Sequence, residues 1–160
     1  MKSNFFGEVD SVEFAIYLSE KAIRAEKHIN VTKIQKLLYI CYGLYLAHTK
    51  KQLLNERPAA WYYGPFFPRV HKAQRNNGGN LATLFNTGLI ENFEKYDYII
   101  EPVLNVFGDW SAGGLVEWTH EENTAWDKKY RIQGEKHTSL DSLDIIADFE
   151  KFIVTEEASV

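Results

Sequence analysis

Apolar residues follow two different patterns near the start of the chain. Between residues 11 and 26 they recur every three or four positions, which predicts an amphipathic helix with one buried face. Asp10 and Glu13 stand at its start with the spacing of a capping box. From Leu37 to Ala47, by contrast, nearly every position is apolar or aromatic. Because a helix that is apolar all round is typical of the centre of a domain, a second helix, about 32–49, is expected to be buried.

Two residues compete for the N-cap of this second helix. Thr32 and Gln35 have the capping-box spacing, whereas a cap at Asn30 would place Ile29 and Ile34 at the positions of a hydrophobic staple. Both alternatives remain open, so the pattern predicts the start of the helix only to within this short segment.

A short aromatic run, 59–63, follows the second helix and is stopped by Gly64 and Pro65. Aromatic residues favour strands, so this run predicts a small β element. A second short segment, 88–93, is expected to pair with it in a hairpin-like arrangement. Pro68 suits the first turn of a helix that ends near residue 76.

Helical spacing resumes in the second half of the chain. One helix is predicted over about 99–107, and Ser111 caps the next, which runs to about residue 118. Thr119 and Glu122 repeat the capping-box spacing and open a further segment. The last helix begins at Asp141, and its apolar stripe comprises Leu143, Ile146, Phe149 and Ile153.

These elements predict a mainly α fold, a compact bundle of about six helices around a buried central helix (about 32–49), with a small β element near 59–63 and 88–93. The 160 residues suit a single domain. Neither an internal repeat nor a linker rich in proline, glycine or serine divides them, so residues 1–160 are expected to form one domain. Its core is expected over about 10–153, and the C-terminal tail, 155–160, is expected to be frayed.

Charge and cysteine content narrow the classes of function. The net charge is −4 and the basic residues are dispersed, so no direct binding of nucleic acid is expected. The one cysteine, Cys41, excludes an intramolecular disulfide and indicates a reducing, cytoplasmic compartment. No stretch reaches the length of about 20 apolar residues that spans a bilayer, and the N-terminus lacks the apolar core of a signal peptide, so no membrane association is expected.

Motifs for catalysis, metals and cofactors are incomplete in this sequence. Cys41 and His48 share a helix face but lie two turns apart, about 10.5 Å along the axis, which is too far for a nucleophile and its base. His120 and Glu121 begin like a zinc-protease motif, but Thr124 stands where the second histidine is required. We therefore expect no metal ion and no cofactor.

Aromatic residues supply the strongest remaining signal. They are dense over 61–68 and recur at 118–126, where Trp126 follows His120. Tyrosine and tryptophan combine a large apolar area with a polar group, which suits interfaces as well as cores. Both roles are open for any single ring, but a run this dense exceeds what one short buried strand can hide.

Three blocks of the sequence together resemble a known family. Residues 32–39 read TKIQKLLY, residues 60–65 read AWYYGP, and a third block comprises Ser111, Ala112, Leu115, Thr119, His120, Glu121 and Trp126. In this order and spacing they resemble the Panacea domain family, the SocA-like and GepA-like phage-associated antitoxin proteins. The resemblance covers about 10–153. The chain departs from the family pattern at Gly113 and Gly114, where bulkier residues are usual, and at Ala125, where a proline commonly precedes the tryptophan.

The resemblance implies a mainly α domain that acts as the antitoxin of a bacterial or phage toxin–antitoxin pair. Such a protein neutralises its partner, a protein toxin encoded nearby, by direct binding, and delivery of that toxin to a protease, or contact with a chaperone, stays open. No enzymatic activity is implied. The residues expected to bind the partner are Trp61, Tyr62, Tyr63, Gly64, Pro65, Thr119, His120 and Trp126.

The alternative is a small hydrolase-like enzyme. In that hypothesis His120 and Glu121 act as a general acid/base pair in a pocket walled by Trp61 and Trp126. Adjacent residues of a helix point about 100° apart, so Glu121 is badly placed to orient His120. The residues therefore favour binding over catalysis.

Overall fold

The fold is known from a computed structural model that describes residues 9–85 and 92–158, with side chains up to residue 152. Within these ranges the chain forms six α-helices, two strands, two 3₁₀ helices (Leu81–Leu84 and Phe93–Tyr96) and a π-helix (Asp127–Ile132). The α-helices are α1 (Ser11–Arg24), α2 (Val31–Thr49), α3 (Pro68–Asn76), α4 (Asp97–Phe107), α5 (Ala112–Thr119) and α6 (Ser142–Ala158), and the strands are β1 (Ala59–Trp61) and β2 (Gly64–Phe66). The mainly α fold class is confirmed.

Helix α2 lies at the centre of the fold, as the all-round apolar pattern predicted. Residues 33–43 are buried without a break, and α2 contacts the five other α-helices and β2. Its closest partner is α6, where Phe149 lies against Gly43. Cys41 is buried on α2, and burial raises the pKa of its thiol, so the thiolate that a nucleophile requires is disfavoured.

Three of the predicted N-caps are present. The side chain of Asp10 accepts a hydrogen bond from the main-chain N–H of Glu13, and Ser111 accepts one from Gly114. At α2 the structure decides between the two alternatives, because the Oδ1 of Asn30 accepts from the N–H of Lys33 at 2.8 Å. These side chains satisfy main-chain donors that the first turn of each helix leaves without a partner.

The small β element is confirmed at 59–61, but its partner strand is β2. The two strands pair antiparallel, with Trp61 opposite Gly64. The other edge of β1 is occupied too, because the N–H of Ala60 donates to the main-chain oxygen of Thr138 at 2.8 Å. Of the expected partner segment 88–93, residues 88–91 lie outside the described ranges, and Asn92 and Phe93 are in a turn and a 3₁₀ helix.

The capping box expected at Thr119 is wrong. Thr119 is the last residue of α5, and its hydroxyl donates to the main-chain oxygen of Val116 at 2.9 Å. Thr124 serves the next helical segment instead, since its hydroxyl oxygen accepts from the N–H of Asp127 at 3.3 Å. That segment widens into the π-helix Asp127–Ile132.

The last helix follows Asp141, whose carboxylate accepts from the N–H groups of Leu143 and Asp144. Its predicted apolar stripe is wrong at Leu143, which is 76% exposed, whereas Ile145 and Phe149 are buried. The frayed tail, 155–160, stays a prediction.

None of the helices in residues 9–85 and 92–158 has the length and apolar character needed to span a lipid bilayer.

Candidate functional site

The structure brings the two aromatic segments, 60–65 and 119–126, into contact. Gly64, at the start of β2, has a φ of +115°, a conformation that residues with a Cβ rarely adopt. A Cβ at this position would lie 2.8 Å from the Oγ1 of Thr119 and 3.1 Å from the Cε of Lys36. The hairpin β1–β2 therefore packs directly on α5 and α2, and only glycine fits at the point of contact.

Trp126 holds the hairpin from the other segment. Its indole N–H donates to the main-chain oxygen of Trp61 at 2.7 Å. Its ring stacks on His120, with centroids 3.8 Å apart and planes 4° apart, and also on Tyr130 at 4.9 Å. The guanidinium of Arg131 lies 5.1 Å from the ring centroid, which is within cation–π range. Since Trp126 is itself buried, these contacts fix the hairpin to the core.

The side chain of Gln35, on α2, is hydrogen-bonded to the main chain at the end of the hairpin. Its Oε1 accepts from the N–H of Phe67 at 2.8 Å, and its Nε2 donates to the main-chain oxygen of the same residue at 3.1 Å. The Nε2 also lies 3.3 Å from the Oε1 of Gln74. The amide thus makes the pair of bonds that a neighbouring strand would make, and it connects α2, β2 and α3.

Lys36, the next residue of α2, is a buried cation that is only 2% exposed. Its Nζ donates to the main-chain oxygen of Pro65 at 3.1 Å. Burial lowers the pKa of this lysine from 10.5 to about 8, and no acidic group in the described part of the chain counteracts the effect. At neutral pH Lys36 therefore keeps most of its charge without a carboxylate partner.

His120 lies half-buried between the hairpin and Trp126. Burial lowers the pKa of its imidazole, the cations of Lys36 and Arg131 lower it further, and the main chain of Tyr63 opposes them. A histidine with a lowered pKa is mostly neutral at pH 7. His120 therefore serves as a neutral stacking partner at this pH.

A cleft of about 260 Å³ opens between the hairpin and the first turns of α2. Its walls are formed by Val31, Thr32, Gln35, Lys36, Trp61, Tyr62, Tyr63, Gly64, Phe66 and His71. Thr119, His120 and Trp126 are not among them, so they support the hairpin without forming the walls of the cleft.

The eight residues expected to bind a partner differ in their accessibility. Tyr62 and Tyr63 at the tip of the hairpin are each 65% exposed, with ring centroids 4.8 Å apart. Trp61 and His120 are half-buried, and the remaining four are buried, namely Gly64, Pro65, Thr119 and Trp126. Only the two tyrosines offer a large exposed surface, and the partner-binding role of the whole set stays a prediction.

Two residues that shape the site were missed at the level of sequence, Gln35 and Lys36. Both were treated as part of an apolar helix or of its cap. The available signal was a polar pair inside a helix predicted to be buried on every face, because a buried amide or ammonium must find a hydrogen-bond partner. Among the described residues, no group of three or more histidine, cysteine or acidic side chains is placed to hold a metal ion.

A second surface feature is an apolar groove of about 620 Å³ on the face formed by α2, α4, α5 and α6. Pro102, Val103, Val106, Trp118 and Phe152 are among its lining residues. It does not share a lining residue with the cleft beside the hairpin.

Replacing Lys36 with methionine is expected to raise stability most at neutral pH. Because the pKa of Lys36 is lowered on folding, the unfolded chain binds more protons than the folded chain between about pH 8 and 10.5. The cost of burying the charge is therefore fully present below pH 8. It disappears as the pH rises through this window. Each pH unit is worth about 1.4 kcal/mol, which makes the change about 3 kcal/mol.

Urea unfolding of both proteins across this window measures the effect. The difference between variant and parent isolates Lys36, because the other titrating groups are common to the two. A difference in the free energy of unfolding that does not vary with pH would contradict the prediction.

Comparison with known proteins agrees with the resemblance found in the sequence. A family model described as antitoxin SocA-like, Panacea domain, matches residues 34–127. The match spans more than half of the chain and contains most of the core helix α2, the hairpin and Trp126, so the chain belongs to this family of SocA-like antitoxins.

The chain is also similar to antitoxin SocA of Caulobacter vibrioides (strain NA1000 / CB15N). The two are 29% identical over 132 residues, which is 74% of this chain and 69% of that protein. No solved structure matches the chain.

Proposed function

We propose that this protein neutralises a toxin by binding it directly, and that the tip of the hairpin contacts the toxin. Membership of the SocA-like family supports the antitoxin role. We infer from that role that the partner is a toxin encoded by a neighbouring gene. The observation that carries the proposed surface is the pair Tyr62 and Tyr63, exposed at the tip of a hairpin that buried residues hold to the core.

Two properties of the tip favour a contact surface. Tyrosine is enriched at the energetic centres of interfaces because its rigid ring buries much area at a small cost in conformational entropy. Trp126, Gln35 and Lys36 each bond to the main chain of the hairpin, so the tip is already positioned. Positioned loops on a rigid scaffold are where binding residues concentrate.

The geometry favours the enzyme hypothesis less. The ring of His120 stacks on Trp126, and in the described part of the chain no hydrogen bond or ion pair joins it to Glu121, which is exposed. A general acid/base pair needs a donor and an acceptor within hydrogen-bond reach of the substrate and, usually, of a residue that orients them. Binding without catalysis is therefore the function that we propose.

The test compares two exposed tyrosine surfaces. The variant Tyr62→Ala/Tyr63→Ala is expected to bind the toxin encoded beside it about thirtyfold or more weakly, since loss of a central tyrosine costs about 2 kcal/mol or more. Its thermal midpoint should not change, because both rings are exposed. Tyr98→Ala is the matched control, as Tyr98 is 54% exposed on α4, and it should bind as the parent does.

Affinity is measured with the purified proteins, and growth rescue is scored by co-expression. Parental affinity in the double variant would contradict the proposed surface, and failure of the parent chain to bind or rescue would contradict direct neutralisation. The same growth test in a host without its ATP-dependent proteases separates two modes: rescue there supports inhibition by binding, and loss of rescue supports delivery of the toxin to a protease.

A further inference from the structure

The cleft beside the hairpin contains a cation that its own walls leave incompletely paired. An ammonium group has three N–H donors, and the main-chain oxygen of Pro65 accepts one from Lys36 at 3.1 Å. Burying such a charge is costly unless an opposite charge compensates it. In the described part of the chain, burial is the dominant influence on Lys36 and no acidic side chain offsets it.

The other walls of the cleft make Lys36 the dominant charge there. They contain aromatic and polar residues but no acidic one. Burial and the charge of Arg75 lower the pKa of His71, so its imidazole is mostly neutral at pH 7. The indole Nε1 of Trp61, another residue of the cleft wall, is buried and has no hydrogen-bond partner among the described residues.

We propose that the cleft binds the side-chain carboxylate of an aspartate or glutamate of the toxin, with Lys36 as its ion-pair partner and the aromatic hairpin residues as its walls. This inference rests on the proposed function, because it names what the partner places next to the tyrosine tip. A volume of about 260 Å³ is several times that of a water molecule, so a side chain can enter. A carboxylate that enters the cleft makes a charge-assisted hydrogen bond to the ammonium of Lys36. The free-energy cost of burying that ammonium is already part of the stability of the free domain.

Lys33 provides a matched control on the same helix. It is also buried, it donates to the main-chain oxygen of His28, and it is not part of the cleft wall. Lys33→Met therefore removes a buried ammonium from α2 without changing the charge of the cleft. Lys36→Met removes the cation of the cleft together with its bond to the main-chain oxygen of Pro65, and it keeps the length of the side chain.

The first experiment needs no toxin. Phenylacetate, a ring joined to a carboxylate, is titrated into the full chain while the indole N–H signal of Trp61 is followed by NMR, with phenylacetamide as the uncharged control. We expect a saturable shift with phenylacetate at millimolar concentrations, at least tenfold weaker in Lys36→Met and unchanged in Lys33→Met. No saturable shift, an equal response to the amide, or an unaltered affinity in Lys36→Met would overturn the proposal.

The second experiment uses the toxin and separates this inference from the proposed function. Its affinity is measured for Lys36→Met, for Lys33→Met and for the double tyrosine variant, after their thermal midpoints show that all are folded. Toxin binding that is weaker in Lys36→Met and unchanged in Lys33→Met supports the carboxylate site. Weaker binding in the tyrosine variant, with parental binding in Lys36→Met, overturns the carboxylate site and leaves the proposed function standing.

Discussion

Replacing Gly64 with alanine is expected to destabilise the protein by about 2–6 kcal/mol. Two physical costs combine at this position. The φ of +115° is strained for a residue with a Cβ, which costs about 1–3 kcal/mol. The new methyl group also meets the Oγ1 of Thr119 and the Cε of Lys36 inside a packed region, and such overpacking typically costs about 1–3 kcal/mol.

Gly78→Ala separates the two costs. Gly78 has a φ of +65°, and a Cβ there would meet nothing within 4 Å. Strain alone should then cost about 1–2 kcal/mol. Free energies of unfolding from urea titrations of both variants measure the difference. An equal loss of unfolding free energy in Gly64→Ala and Gly78→Ala would contradict the close packing of the hairpin on α5 and α2.

Replacing Leu38 with alanine is expected to cost about 2–5 kcal/mol, the range for a large aliphatic side chain removed from a tightly packed core. Leu38 is fully buried on α2, the helix that contacts all the other α-helices. Because α2 packs against several elements, we expect that the movement of one of them does not close the cavity.

Leu143→Ala is the control for this experiment, since Leu143 is 76% exposed on α6 and the same atoms are removed. Surface substitutions usually change stability by less than about 0.5 kcal/mol. Thermal and urea unfolding of the two variants measure both values. A midpoint for Leu38→Ala that equals that of Leu143→Ala would contradict the central position of α2.

The helices at the start of the chain were predictable because their signals are local. The cap of α1 and the all-round apolar pattern of α2 depend on residues a few positions apart. The choice between Asn30 and Thr32 was not predictable, because both satisfy the same local rule and the structure alone shows that Asn30 bonds to Lys33.

Errors occurred where local signals are ambiguous or the deciding contacts are distant. Strands of three residues are too short to show an alternating pattern, so the sequence predicts a partner strand at 88–93 where the structure has β2. The capping box predicted at Thr119 is wrong because a threonine and a glutamate three residues apart also occur at the end of a helix. There the hydroxyl of Thr119 donates to the main-chain oxygen of Val116, one turn earlier. The predicted burial of Leu143 is wrong because the contact of α6 with α2 determines which face of α6 is buried.

The candidate site was only half predictable. Family-like blocks and aromatic density indicated both segments, and the structure places them together through Gly64 and Trp126. Which of their residues are accessible depends on packing. The charge of the cleft depends on Lys36, and its position in a helix predicted to be buried was the one local signal of its burial. A lysine within an apolar run is ordinarily able to extend its ammonium to water.

The two bonds that Gln35 makes to Phe67 also affect how the domain moves. Because a side chain of the central helix replaces a strand as the partner of this main chain, the end of the hairpin cannot detach unless the amide of Gln35 loses both bonds. The amide hydrogen of Phe67 should therefore exchange with solvent as slowly as those of the core helix. A tip supported in this way enters a complex already ordered, and little conformational entropy remains to be lost on association.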